Sequence, residues 1–136
     1  MRNFTQLLVM GLMMLAATLT LQAGNVTLAW DYSFEQEPSV QSFRLYALQG
    51  SNSVFTANNN NAYRSVVVTK EQATNPLTYT LTNGVTTNLI GTISNLHSGW
   101  WTFTATAINT NQMESVNSET VSAAIRPSPV WSLYVK

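Results

Sequence analysis

Few residue types in this chain could perform acid–base or metal chemistry. His97 is the single histidine, cysteine is absent, and charged residues make up only 9% of the 136 residues. A catalytic triad could be written from His97, Asp31 and a serine, but nothing in the sequence places His97 near Asp31. One imidazole without a carboxylate cluster beside it also cannot form a histidine-based metal site. We therefore interpret His97 as a solvated loop residue.

The carboxylates offer little more. Glu35 and Glu37 lie two residues apart in a polar loop, whereas a glycosidase pair must face across a cleft about 5–9 Å wide. Two neighbours on one loop point at solvent or at a surface cation. Calcium binding by this pair together with Asp31 is an alternative, although no calcium-loop pattern supports it. The sequence thus predicts no catalytic residue, no cofactor and no resident metal.

The aromatic residues suggest a different chemistry, the binding of partners. Trp100 precedes Trp101 in an extended run and faces the opposite way, which would leave it partly exposed. Exposed aromatic rings stack on sugars or anchor a protein partner, while the simpler interpretation is a ring that covers an edge of the core. Near the C-terminus, Trp131, Leu133 and Val135 alternate onto one face. Trp100, Trp131, Leu133 and Val135 are therefore the candidate interaction residues.

These residues belong to a chain of alternating strands, and the strongest alternation begins at Trp101. Trp101 and Phe103 fall on one face of the extended chain, and Thr102 and Thr104 fall on the other, as in a half-buried strand. The pattern breaks at the polar residues 109–112, and a second alternating run follows. This pair of runs predicts the last hairpin of an antiparallel sandwich.

Shorter runs of the same kind fill the rest of the chain. They occupy residues 26–31, 43–47, 63–69, 77–82 and 85–93. Asn83 and Gly84, between the last two runs, are a strong hairpin signal. The four asparagines at 58–61 are expected to be too polar to pack and to form a mobile loop tip. Because turn signals recur and no helical periodicity follows the N-terminal run, the sequence predicts an all-β sandwich or barrel.

Over residues 26–125 the chain resembles the fibronectin type III family. VTLAWDYS matches the second strand of that family, with its buried tryptophan at Trp30, and PSVQSFRLY matches the loop and the third strand. Residues 96–109 match the sixth strand, and ESVNSETV matches the approach to the last. The resemblance implies an immunoglobulin-like antiparallel β-sandwich of fibronectin type III topology.

One position departs from this family. Its corner tyrosine, whose hydroxyl bonds back to the backbone, is replaced by Trp101. An indole donates one hydrogen bond and accepts none. The resemblance therefore implies that this corner is satisfied differently or is held by packing.

The N-terminus predicts secretion. Arg2 precedes an apolar run at 7–21, and Ala23 offers a small residue for cleavage before Gly24, as in a secretory signal peptide. A spanning helix needs about 20 apolar residues, so no stable membrane span is expected. We expect a signal peptide at 1–23, a fibronectin type III-like domain at 24–125 and a proline-led strand or tail at 126–136. The location would be extracellular, at the cell surface or periplasmic.

Cleavage after Ala23 would remove the strand that precedes the Trp30 strand in this family. Residues 127–135 resemble that first strand, although they stand at the other end of the chain. The tail could fill the vacant edge of a neighbouring subunit, dock on its own chain, or stay mobile. Alternatively, an uncleaved N-terminus could supply the strand, since residues 18–22 also alternate.

Charge and pattern together define the expected function. Six basic and six acidic residues leave no field that would attract nucleic acid. We expect a non-catalytic secreted module that acts in adhesion or in a surface or virion-like assembly. Its partner would be another protein or a second copy of this chain, bound through an edge strand. The alternative is a carbohydrate-binding module that uses Trp100 or Trp131.

Overall fold

The computed structural model describes residues 14–22, 24–81, 84–130 and 132–136. Within these residues the chain is built almost entirely of strands. They are β1 (Met14–Gln22), β2 (Asn25–Tyr32), β3 (Val40–Gln49), β4 (Arg64–Thr69), β5 (Thr74–Leu81), β6 (Gly84–Ile93), β7 (Gly99–Asn109) and β8 (Val121–Ile125). A single helical turn, α1 (Lys70–Ala73), and a 3₁₀ turn at Ala57–Asn59 interrupt them. The all-β prediction is confirmed.

The strands form two antiparallel sheets that pack face to face. Sheet A has the order β1-β2-β6-β5, and sheet B has the order β4-β3-β7-β8. The predicted last hairpin is the β7–β8 pair, whose register runs from Gly99↔Ile125 to Phe103↔Val121. The antiparallel sandwich is therefore confirmed. Of the predicted hairpin between β5 and β6, Asn83 lies outside the described residues.

The core lies between the two sheets and holds the tryptophans expected there. Trp30 is 1% exposed, and Phe43 and Trp101 are fully buried. The rings of Trp30 and Phe43 meet edge to face, with centroids 5.2 Å apart. Gly91 on β6 lets the sheets come this close, since a Cβ there would lie 3.0 Å from Leu45 Cδ1. Burying each large apolar side chain contributes about 1.5–3 kcal/mol.

The expectation that β7 is half buried is wrong. Thr102, Thr104 and Thr106, on the face that points away from the core, are at most 1% exposed. Residues 50–62 and 113–118 lie over this outer face of sheet B and cover it. Alternation identified the core-facing side chains of β7 correctly, but it held no information about what covers the other side.

One asparagine of the run at 58–61 packs, contrary to expectation, while the other three are exposed. Asn59 is 8% exposed, and its amide exchanges two hydrogen bonds of 2.8 Å with the amide of Asn117. Asn61 accepts a hydrogen bond from the Thr56 backbone N–H at 2.9 Å and donates one to the Val54 carbonyl at 3.0 Å. Asparagine amides can pair with backbone groups as well as with one another, so a polar run can form a closed loop instead of a solvated tip.

The two termini differ in their structure. β1 lies inside the segment predicted as a signal peptide and pairs with β2 from Met14↔Asp31 to Gln22↔Asn25. The arrangement in the structure is therefore the alternative in which the N-terminus supplies the first strand, while cleavage itself stays a prediction. At the other end, the described residues after Ile125 form no strand.

Candidate functional site

Strand direction distinguishes the two ends of the sandwich. At one end, the Gly24 carbonyl accepts a hydrogen bond of 2.9 Å from the Leu96 N–H. β1 finishes and β2 starts at this Gly24 end, and β8 finishes there beside the start of β7. The C-terminal tail, residues 126–136, therefore leaves the sandwich at the Gly24 end.

The tail carries its large apolar side chains in the open. Leu133 is 93% exposed and Val135 is 99% exposed, and Val130 and Tyr134 are each more than three quarters exposed. Trp131, the third predicted interaction residue of the tail, lies outside the described residues. Isolated exposed apolar residues are common, whereas four of the described residues in this short tail are exposed and apolar.

The edge of sheet A is where such a segment could pair. β1 covers this edge by running antiparallel to β2, toward the Gly24 end. The tail of the same chain starts at the Gly24 end. It would have to reach the opposite end of the sandwich before it could pair with β2 in the direction of β1. β2 has 8 residues, about 26 Å at ~3.3 Å per residue, whereas residues 126–129 reach about 14 Å. Residues 126–129 are therefore too short to bring the tail of the same chain to the start of a strand in the β1 direction.

Trp100 is exposed, as its position in the alternation predicts, but it stands apart from the tail segment. Its side chain is 55% exposed, and it lies opposite Ala124 of β8. Its backbone carbonyl accepts a hydrogen bond of 2.8 Å from the Gly50 N–H. The structure does not bring Trp100 together with Leu133 and Val135, which lie beyond the end of β8.

Trp101 resolves the question of the corner. Its indole N–H donates to the backbone carbonyl of His97, four residues upstream, at 2.9 Å. A corner tyrosine uses its hydroxyl for the same kind of bond to the upstream backbone. The Trp101 indole makes a bond of the same kind, which requires a donor and no acceptor on the side chain.

The His97 imidazole is exposed and lies against aromatic rings. Its centroid is 4.9 Å from that of Trp101 and 5.8 Å from that of Tyr63. Asp31 lies near the opposite end of β2, where its carboxylate accepts a hydrogen bond of 3.0 Å from the Asn88 amide. The structure does not bring His97 and Asp31 together.

The acidic loop departs from its prediction at one residue. Glu35 is exposed, as expected, but Glu37 is only 4% exposed. Burial raises the pKa of the Tyr32 phenol, and the nearby charge of Glu37 adds to the rise. Among the described residues, no three His, Cys, Asp or Glu side chains are grouped closely enough to share a metal ion.

Sequence reasoning missed a polar cluster on the outer face of sheet B. The Glu114 carboxylate accepts hydrogen bonds from the Tyr46 hydroxyl, from Thr106 Oγ1 at 2.5 Å and from Arg44 Nη1 at 3.1 Å. Burial raises the pKa of Tyr46, and the bond to Glu114 raises it further. Arg44 and Tyr46 lie 70 and 68 positions before Glu114 in the sequence. No local sequence pattern therefore predicts the cluster.

Beside this cluster a cleft opens between the 3₁₀ turn and residues 113–117. Its volume is about 730 Å³. Phe55, Asn58 and Val116 line it, together with Tyr46 and Glu114 from the polar cluster. No local pattern predicts this cleft, since its lining comes from four separate segments of the chain.

Comparison with known proteins supports the fold and no family. No known family and no curated protein matches the chain. It is similar to the solved structure of Astrotactin-2, described as a conserved vertebrate-specific and perforin-like membrane protein involved in neuronal development. The match has a TM-score of 0.50 at 14% identity and covers 86% of this chain but 22% of that one. This likeness concerns the fold alone. Within the described part of the chain, no helix has the length and apolar character to cross a membrane.

Proposed function

We propose that this protein is a non-catalytic secreted module of fibronectin type III topology that assembles head to tail. Residues 127–135 of one copy would pair with the β2 edge of the next, in the position that β1 occupies. The observation that carries the proposal is the relation between the end at which the tail leaves the sandwich and the end at which the edge strand begins. The tail leaves at the Gly24 end, and the strand that covers the β2 edge starts at the opposite end. Copies stacked in one direction connect these two points without a reversal.

The assignment to the fibronectin type III topology has two supports. Sheet B has the order β4-β3-β7-β8 and faces a sheet in which β2 lies between β1 and β6. The Trp101 indole also makes the corner hydrogen bond expected at the start of the sixth strand of such a domain. Two packed antiparallel sheets with a first strand at one edge are the architecture in which a neighbour's strand can substitute for the first.

Removal of residues 1–23 would prepare the edge for assembly. β1 would leave with the signal peptide, and the backbone groups on the outer edge of β2 would lose their partners. An unpaired strand edge is a template for another chain. In an incoming tail, Trp131, Leu133 and Val135 share one face, and burying Leu133 and Val135 would contribute about 1.5–3 kcal/mol each. Such a head-to-tail contact is open-ended and builds filaments.

The test compares the mass in solution of three forms of the protein. Residues 24–136 should form oligomers whose size grows with concentration, and residues 24–126 should not. The full chain, in which β1 occupies the edge, should stay monomeric. Sedimentation velocity distinguishes these outcomes. A monomer for residues 24–136 at every concentration would overturn the proposal, as would oligomers that persist without the tail.

A matched pair of substitutions tests which face of the tail strand is buried in the exchange. Leu133→Asp places a charge on the face that Trp131 and Val135 share, so it should abolish assembly. Tyr134→Asp adds the same charge to the other face and should weaken assembly much less, because that face looks toward solvent. Equal losses from both substitutions would contradict a paired strand and indicate non-specific apolar association.

A second candidate function is favoured by the exposure of Trp100. An exposed indole can stack on a sugar ring, which would make the protein a carbohydrate-binding module. Trp100→Ala should then abolish binding on a glycan array. Glycan binding that Trp100→Ala abolishes, without oligomers, would favour this function, and oligomers without Trp100-dependent glycan binding would favour assembly.

A further inference from the structure

A mixed polar and apolar cleft on the outer face of sheet B has the features of a small-ligand site. We propose that this cleft, between the 3₁₀ turn and residues 113–117, binds a neutral saccharide. The cleft has a volume of about 730 Å³, within the range of small-molecule sites, about 300–1,000 Å³. It lies on sheet B, away from the β2 edge of sheet A, so the inference does not depend on head-to-tail assembly.

Two apolar side chains stand among the polar residues that line the cleft. Phe55 stands on one side, edge to face with Tyr46 at 6.4 Å between centroids. Val116, 46% exposed, stands on the segment that forms the other side. The C–H faces of a sugar ring pack against such surfaces, and an aromatic ring supplies the larger and more rigid one. Phe55 is therefore the stacking residue of the proposed site.

A carboxylate that lines the cleft can accept hydrogen bonds from hydroxyl groups. Glu114 lines the cleft, and its side chain is 29% exposed. A carboxylate has about four acceptor positions, and Tyr46, Thr106 and Arg44 donate to three. The fourth acceptor position can accept a hydrogen bond from water or from a ligand. A sugar hydroxyl that replaces water there gains a charge-assisted hydrogen bond.

The charge of the cleft selects a neutral ligand. Glu114 is the single ionisable carboxylate among the lining residues, and its charge is balanced by Arg44 at 3.1 Å. An anionic ligand would be repelled by Glu114 and would have to displace it from Arg44. A cationic ligand would compete with Arg44 for the same carboxylate. A polyhydroxyl compound without charge disturbs neither partner.

The cleft is also held in shape before any ligand arrives. Asn58 and Asn59 have positive φ values of 61° and 57°, a left-handed conformation that asparagine adopts more readily than most residues other than glycine. The two hydrogen bonds between the side-chain amides of Asn59 and Asn117 connect the 3₁₀ turn to the opposite wall. A rigid site loses less conformational entropy on binding. The exposed amide of Asn58 then stands at the rim as a second polar contact.

The test is a titration of the isotope-labelled full chain with maltose, cellobiose, lactose and chitobiose, followed by amide chemical shifts. At least one disaccharide should shift the amides of residues 55–59 and 114–117. Phe55→Ala should weaken that binding about tenfold, the loss of one stacking contact. Ile90→Ala, at an exposed position of sheet A outside the cleft, should leave it unchanged.

Two further variants keep the outcome decisive. Asn58→Gly preserves the positive φ and removes the amide, so it should weaken binding by about threefold, the loss of one neutral hydrogen bond. Val116→Ala removes the other wall if Phe55→Ala proves unfolded. The proposal is overturned if none of the four disaccharides shifts these amides, or if binding survives Phe55→Ala and disappears with Trp100→Ala.

Discussion

β2 and β7 have the same sequence pattern and opposite environments. β2 reads Val-Thr-Leu-Ala-Trp and β7 reads Trp-Thr-Phe-Thr-Ala, so both alternate between the core and a second face. On β2 the second face is partly open to solvent along its whole length, whereas on β7 both faces are buried from Trp101 onward. An alternating pattern therefore reports which residues face the core and is silent about the other side.

The threonines of β7 show how a polar outer face tolerates burial. Thr102 Oγ1 donates to the Gly50 carbonyl at 2.7 Å, and Thr104 Oγ1 donates to the Ser118 carbonyl at 2.9 Å. On β2, Thr27 bonds at 2.8 Å to Thr92 on the neighbouring strand, in contact with solvent. Threonine hydroxyls on β7 thus attach the covering segments, because a buried polar group must find a partner.

The largest effect should come from the cover itself. Asn59→Ala removes both side-chain hydrogen bonds to Asn117 and forces alanine into a positive φ of 57°. We expect a loss of about 3 kcal/mol in the free energy of unfolding, from an unpaired amide and an unfavourable backbone conformation. Asn60→Ala, at an exposed position with negative φ, should cost less than about 0.5 kcal/mol. Urea unfolding measures both, and equal costs would mean that the cover is only loosely attached.

A smaller effect should separate the two strands directly. Thr104→Val removes a buried hydroxyl that serves the Ser118 carbonyl and should cost about 1–2 kcal/mol. Thr27→Val, on the open face of β2, should change stability by less than about 0.5 kcal/mol, since valine suits a strand equally well. The comparison between the strands fails if the two substitutions have the same urea midpoint.

What could be predicted from the sequence depended on local patterns. Alternation located β2, β3, β4, β6 and the last hairpin, and it placed Trp30, Phe43 and Trp101 in the core. The exposure of Trp100 followed from the same rule. These are properties of side chains two residues apart, which the geometry of an extended strand determines without reference to the rest of the chain.

The polar cluster and the cleft could not be predicted, since they join distant segments. Glu114 meets Arg44 and Tyr46 across 70 and 68 residues, and Asn59 meets Asn117 across 58. Composition even misled, because a run of four asparagines is typical of an open loop. Only the path of residues 50–62 over sheet B reveals which polar side chains find partners.

The tryptophans of the two sheets sharpen the comparison further. The indole N–H of Trp101 donates to the His97 carbonyl at 2.9 Å, whereas that of Trp30 has no hydrogen-bond partner among the described residues. Trp101→Phe and Trp30→Phe remove similar volumes from the core, but the first also removes a hydrogen bond. Trp101→Phe should therefore be less stable than Trp30→Phe by about 1 kcal/mol. A larger cost for Trp30→Phe would contradict this assignment.

The smallest effect at neutral pH becomes visible in alkali, through the buried tyrosines Tyr32 of sheet A and Tyr46 of sheet B. Burial raises the pKa of both Tyr32 and Tyr46 above the value of an unfolded chain, about 10. The folded state therefore holds the phenolic protons more tightly, and the stability that they provide is complete below pH ~10 and is lost as the pH rises above it.

Tyr32→Phe should reduce this alkaline loss in urea unfolding without a large change at pH 7, because the Tyr32 hydroxyl has no hydrogen-bond partner among the described residues. Tyr46→Phe should also reduce it, but at pH 7 it should cost about 1–2 kcal/mol through the lost bond to Glu114. If the two variants are equally stable at pH 7, the polar cluster on sheet B does not contribute to folding, and the contrast between the open and the covered sheet has no energetic basis.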